Sequence, residues 1–283
     1  MSASTRAGAS TGAGSTVRPT GSRAGLYALA AATEVRAGLR SPELAVLGVA
    51  LPAVLYAVFG LPNAGRTMPG GTGAGLVVLA GIGCYGALTL GVAVVGEEVA
   101  EDRGRGWLRT LAATPVPTSA YLVGKLGGAL VHALLMVLGL CALAAAVGGV
   151  RLEPARWAAL GALLVAGVLV CSPLGVAIAF LVRPRVAVVI TNLVFLPLSF
   201  ASGFFVPLSE LPAVLRDVAP WLPTHHFGQL VLLAVADERD VAALSGLAPQ
   251  HPAVHAAWVL GAAVLAAALA LAGAHREAVT RRG

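Results

Sequence analysis

The sequence predicts an all-α integral membrane protein with six transmembrane helices. Three observations carry that prediction. The 283-residue chain is 58% apolar and only 11% charged, where soluble globular chains carry about a quarter charged residues. Its mean hydropathy is +0.86, too high for a chain that buries one core and keeps a wet surface. The apolar residues also gather into six runs, each near the roughly 20 residues that a helix needs to cross about 30 Å of hydrocarbon. Helices follow because lipid offers backbone N–H and C=O groups no water to bond. This composition excludes a water-soluble enzyme.

The elements can be justified in chain order. Residues 1–22 are rich in Ser, Thr, Gly and Ala and predict a disordered cytoplasmic tail. Over 23–43 an interfacial helix is expected, with Leu26, Leu29 and Ala30 near lipid headgroups and the charged ends in water. Leu26 to Ala32 resembles a signal-peptide core, but it is short and Glu34, Arg36 and Arg40 follow it, so cleavage is not expected. A six-helix domain then covers 44–275. Its spans run from about Leu44 to Leu61, Leu76 (or Gly71) to Gly96, Tyr121 to Val147, Trp157 to Val182, Val186 to Val206 and His255 to Ala274. Residues 276–283 form a second tail. Arg183-Pro184-Arg185 reads as a tight turn, because proline breaks the helix and its arginines stay in the headgroups. Pro173 and Pro197 fall inside spans, where each removes a donor and kinks the axis.

Orientation follows from the basic residues. With the amino terminus in the cytoplasm, inner segments hold fourteen Lys and Arg and outer segments five. That asymmetry puts both termini inside. The net charge of +6 does not indicate nucleic acid, because the basic residues lie in gaps between apolar runs rather than on one face.

Several chemical readings fail. Gly81-Ile82-Gly83-Cys84-Tyr85-Gly86 has dinucleotide spacing but lies inside an apolar run with no strand before it, so the glycines are read as close helix contacts. Cys84, Cys141 and Cys171 are isolated within apolar runs and give neither a disulfide framework nor ligand spacing. His225-His226 and His251/His255 lack a carboxylate or cysteine that would complete a metal set, and surface or interfacial positions suit them. His132, inside the third span, requires a partner for its ring. No phosphate loop, nucleophile elbow or metalloprotease motif occurs. The chain is therefore read as no enzyme, without a cofactor of its own.

The informative segment is Glu97 to Pro117, with four acids, three arginines and Trp107 between spans two and three. Trp107, Leu108 and Leu111 suit the contact stripe of a short helix, with charges that pair across a partner surface; a solvated loop is the plainer reading. Pro115 and Pro117 redirect the chain into the third span.

Here the sequence resembles a type-2 ATP-binding-cassette exporter permease, especially the bacterial multidrug and antibiotic efflux branch. The resemblance lies in Glu101 to Arg105, in Gly106-Trp107-Leu108-Arg109-Thr110-Leu111, in Ala113-Thr114-Pro115-Val116 and in Gly124-Lys125. On the other side it lies in Leu198 to Pro212 and in Pro220-Trp221-Leu222-Pro223-Thr224. Trp107 and His225-His226 depart from the family pattern.

The resemblance implies a permease subunit of an ATP-driven exporter in a bacterial cell membrane, moving an amphipathic drug-like compound or antibiotic. It implies a cytoplasmic coupling element, an outer re-entrant or interfacial element at about Pro207 to Phe227, and a second permease copy or related permease. ATP and Mg²⁺ would be held by a separate nucleotide-binding subunit. By the same resemblance Glu101, Arg105, Trp107, Leu108, Arg109 and Leu111 contact that partner. An aromatic pathway or outer gate would take Asn192, Phe195, Ser199, Phe200, Phe204 and Phe205. The alternative is a secondary transporter driven by an ion gradient, for which the spans offer few deep ionisable groups.

Overall fold

A computed structural model describes residues 23–41, 46–114 and 116–280. The 1–22 tail, residues 42–45 with the end of the expected interfacial helix and the start of the first expected span, Pro115 and the last three residues lie outside that range. Among the described residues the protein is all-α with no sheet, apart from a single bridge between Thr67 and Gly73. Among the described residues five helices are long and apolar enough to cross a membrane, and the chain is a multi-pass membrane protein.

Helix α1 (Arg23–Leu39) precedes the spans. The first expected span is shorter than a membrane crossing where it is described. A π-turn at Val46–Ala50 leads into α2 (Leu51–Phe59) and a 3₁₀ turn at Leu61–Asn63. The second span is α3, Ala74–Gly104, interrupted by a π-helical segment at Thr89–Val94. It was expected to end near Gly96, with the acidic run in a loop. Instead the helix carries Glu97 to Arg103 on its own last turns. It stops where Gly106 takes a left-handed φ of +77°, a conformation that costs glycine nothing.

A short α4 (Trp107–Ala112) follows, then the long α5 (Thr118–Ala146), α6 (Pro154–Leu181) and α7 (Pro184–Ala201). The fifth span was expected to reach Val206. It ends at Ala201 because Gly203, at φ +81°, reverses the chain. The amides of Ser202, Gly203 and Phe204 there take the carbonyls of Leu198, Phe200 and Ser199, which would otherwise be orphaned. Three further helices cap the same end of the bundle: α8 (Ala213–Val218), α9 (Pro223–Val235) and α10 (Glu238–Ser245). The last span is α11 (Pro252–Thr280).

Small residues set the packing. A Cβ at Gly83 would meet Leu164, one at Gly86 the sulfur of Met136, and one at Gly81 the backbone carbonyl of Phe204. The apparent dinucleotide motif is thus a helix surface on which three neighbours press. On α3 and α6, Gly96 and Gly175 touch backbone to backbone, the close approach that drives association where lipid supplies no hydrophobic gain. Leu79, Leu88, Leu90, Met136, Leu140 and Leu164 are fully buried around these crossings. On α5, Gly124, Gly127 and Gly128 face Ala30, Ala31 and Glu34 of α1, so α1 lies along the first half of α5.

Candidate functional site

The two ends of the bundle are built differently. At the α4 end, the ammonium of Lys125 on α5 lies 3.2 Å from a carboxylate oxygen of each of Glu34, Glu98 and Asp102. These acids come from α1 and α3, so one cation ties three helices together. The Lys125 side chain is only 9% exposed, and the Tyr121 hydroxyl donates to Asp102 at 2.8 Å. Three carboxylates against one ammonium leave an excess of negative charge, which a buried site tolerates only with such added bonds. A cavity of ≈ 300 Å³ opens beside this hub. His132 lies on its wall with its ring against Gly38 and Nδ1 2.9 Å from the Gly128 carbonyl.

Outward from the hub stands α4. Its Trp107 is 49% exposed, Arg109 is exposed, and Leu111 is half-buried against the core. Arg105 pairs with Glu101 at 3.4 Å and with Asp102 at 3.2 Å, its side chain 68% exposed. Glu101 and Arg105, both read as partner contacts, pair with each other across the end of α3 and remain exposed. Arg103 turns the other way and donates to the carbonyls of Ala179 and Val182 at the end of α6. The side chain of Leu108 lies outside the described residues. The sequence reading placed partner contacts at the end of α3 and on α4 and missed the hub beside them. The available signal was Lys125, a lysine about one turn inside an apolar run.

At the opposite end, the expected gate residues divide. Phe195, Ser199 and Phe204 are buried within the chain, with the Ser199 hydroxyl donating to the Phe195 carbonyl at 2.9 Å. Phe204 is wedged between Gly81 and Gly228. Phe205 packs at a tilt against both Tyr85 and Phe200, ring centres 4.9 Å apart, and Tyr85 lies 5.4 Å from Phe195. Of the set, Phe200 is 39% exposed, and the Asn192 side chain lies outside the described residues.

Of the four histidines read as surface or interfacial, three are buried, His225 at 3% exposed, His226 at 2% and His255 at 5%, while His251 is exposed. The chain folds back so that α9 and α11 bring His226 and His255 together, Nδ1 to Nδ1 at 2.7 Å. The tautomers follow from the partners. His226 Nε2 must donate to the Pro220 carbonyl at 2.9 Å, leaving its Nδ1 to accept from Nδ1–H of His255. His226 also stacks on Trp258, rings 5.1 Å apart. Burial pushes the His225 imidazole down to about 4, against a weak Nδ1–H bond to the Ser202 carbonyl. Burial likewise lowers His226, opposed by its bond to Pro220. Both are neutral at neutral pH. Among the described residues no group of three or more His, Cys, Asp or Glu is placed to hold a metal ion.

One further polar device at this end escaped the sequence reading. Asp240 of α10, 2% exposed, accepts from the amides of Gly70 at 2.7 Å and Thr72 at 2.9 Å. The Thr72 hydroxyl in turn accepts from the Asp237 amide at 2.9 Å. Burial raises the Asp240 carboxyl, but the bonds from Thr72 and Gly70 outweigh it and hold it below the usual range.

Two comparisons bear on this architecture. The model of a family described as "ABC-2 family transporter protein" matches residues 52–273, which take in α3 to α10 whole and most of α11. The chain is also similar to the "Putative transport permease YvfS" of Bacillus subtilis (strain 168), 27% identical over 141 residues. That alignment takes in 50% of this chain and 56% of the relative, so the likeness spans little more than half of the relative's length.

Proposed function

Because the chain belongs to the ABC-2 family of transporter proteins, we propose that it is the permease subunit of an ATP-driven exporter, with α4 as the contact to a separate nucleotide-binding subunit. The observation that carries this reading is the exposed Trp107, set on a short helix hung from the charged end of a 31-residue span. A large aromatic side chain left half in solvent beside arginines has the composition of an interface anchor. Movement of α4 would travel along α3 and, through Lys125, into α5 and α1. Such coupling requires contacts that differ between two states of the motor. ATP and Mg²⁺ belong to the partner in this scheme, and the face bearing α4 is cytoplasmic.

A second permease copy completes the pathway. Val186, Val189, Leu193, Leu196 and Phe200 are all exposed and recur at alternating spacings of three and four along α7. That is the period of a helix–helix seam. In this reading Phe200 faces the pathway, while Phe195, Ser199 and Phe204 shape its wall from behind. The cargo is an amphipathic drug-like compound or antibiotic.

The test is reconstitution with the partner in vesicles. Trp107→Ala inserts normally but loses most transport and transport-coupled ATP turnover, and Leu111→Ala behaves alike with some loss of stability. Normal transport and partner affinity in both variants would overturn the assignment. Transport that survives ATP depletion and stops when the ion gradient is collapsed would support the gradient-driven alternative.

A further inference from the structure

Two cavities lie under the cap at the end remote from α4. The first, of ≈ 440 Å³, runs between α3 and α9 from Ala74 down to Cys84 and is walled by Phe204 and Phe205. That depth is about 15 Å along the helix. The second, of ≈ 250 Å³, lies beside α10 and holds His225, His226 and His255. They share two wall residues, Gln229 and Ser245, so they adjoin across the α9–α10 contact. The larger falls in the range of about 300–1,000 Å³ usual for small-molecule sites.

Their charges are one-sided. Glu210 lines the first cavity and Glu238 the second, and among the described residues no Lys or Arg lines either. Both acids are exposed at the rims. The carboxylates packed between helices are answered, Glu34, Glu98 and Asp102 by Lys125 and Asp240 by two amides. Among the described residues, no ion pair or side-chain hydrogen bond involves Glu210 or Glu238, and the Gln229 amide between them makes none to protein. Four of the six histidine ring nitrogens are spent on one another and on the Pro220 and Ser202 carbonyls, which leaves Nε2 of His225 and of His255 as hydrogen-bonding surface among the described residues.

We propose that the adjoining cavities form one binding site, inside a single copy of the chain, for a lipophilic organic cation. The apolar body would sit between α3 and α9 against Phe204 and Phe205, whose ring faces attract positive charge. The cationic part would lie toward Glu210 or Glu238, with Gln229 free to bond a polar substituent. An anion would meet two carboxylates and no counter-charge. A neutral molecule would leave both acids unused.

This site deepens the export reading by naming a cargo class, but its existence does not depend on that reading. Binding is therefore measured on the full-length permease alone, purified in detergent without motor or nucleotide, by equilibrium dialysis against empty micelles. The probes are tetraphenylphosphonium and its same-shape anion tetraphenylborate. Wild type binds the cation in preference to the anion. Glu210→Gln and Glu238→Gln each weaken cation binding about threefold, and the double variant about tenfold, as partly solvated charges should. Anion binding does not weaken. Both changes are isosteric and exposed, and an unchanged melting temperature verifies the fold. Equal cation binding by wild type and double variant, or equal binding of the two probes by wild type, would overturn the site. Loss of ATP-driven transport with cation binding intact would strike the export reading alone.

Discussion

The two ends of the bundle hold themselves together by opposite means. At the α4 end a single ammonium answers three carboxylates drawn from two helices, so the joint depends on charge. At the other end Asp240 accepts two backbone amides, His226 and His255 share one neutral hydrogen bond, and Phe204 lies between two glycines, its carbonyl against Gly81 and its ring against Gly228. That joint depends on shape and neutral bonding. The difference teaches where each end can move. Charge attraction tolerates a few tenths of an ångström of displacement, because Coulomb energy falls off slowly with distance. A hydrogen-bonded clamp or a ring packed against a glycine does not. An end that follows a motor benefits from the first kind of joint, and an end that closes a cavity from the second.

The largest effect expected from breaking this contrast is at Lys125. Lys125→Met removes the cation and leaves Glu34, Glu98 and Asp102 facing one another at low exposure. Unpairing buried charges costs about 3–5 kcal/mol, read as a lowered melting temperature in micelles. Lys125→Arg, which keeps the charge, loses much less. Equal losses in the two variants would show that packing, not charge, holds this end.

Next in size is the acid sensitivity of the capped end. The His225 imidazole is held at about 4, below the roughly 6.5 of an unfolded chain. Between those values the unfolded state binds more protons, so stability is lost as pH falls from about 6.5 and levels off near 4. The groups facing it are His226 and His255, with Glu238 on the same cavity wall. The loss amounts to about 3 kcal/mol, and His225→Gln should flatten that part of the stability–pH curve. An unchanged curve in the variant would remove His225 as the source.

The Asp240 clamp sharpens the comparison from the other direction. Asp240→Asn turns one acceptor into a donor that faces a backbone N–H, costing about 2 kcal/mol. The pH dependence has the opposite origin from that of His225. A carboxyl held below its unfolded value contributes above about pH 4 and is lost only in stronger acid. Above that range the clamp should hold, and unfolding in wild type between pH 6.5 and 4 should trace to the histidines.

How much of this was legible in the sequence differs between the ends as well. Hydropathy located the later spans because lipid imposes a length on any crossing helix, and the glycines of the apparent dinucleotide motif were recognisable as helix contacts from their apolar setting. The short helix at Trp107 was legible from its glycine, its prolines and its resemblance to a known coupling element. The hub was not, because a lysine and three acids spread over residues 34 to 125 meet only once three helices pack. The histidines were misplaced for a related reason. His226 and His255 look like separate polar residues in a long connection, and their burial depends on α9 folding back against α11. The π-helical segment at Thr89–Val94 left no local signature, since its widened turn lies where α3 crosses α6 on Gly91 and Gly175.

The smallest effect expected is at Arg105, and it tests whether exposure rather than pairing decides what charge contributes at the α4 end. Arg105 contacts two of the acids of the same region, Glu101 at 3.4 Å and Asp102 at 3.2 Å, distances close to those of Lys125. Its side chain is 68% exposed against 9% for Lys125, so water screens both contacts and the mobile guanidinium gives up entropy to hold them. Arg105→Gln should therefore shift stability by no more than about 0.5 kcal/mol, and raising the salt concentration should shrink even that difference. A loss approaching that of Lys125→Met would mean that Arg105 belongs to the hub, that the acidic excess there is balanced by two cations rather than one, and that the charged joint extends out to α4 itself.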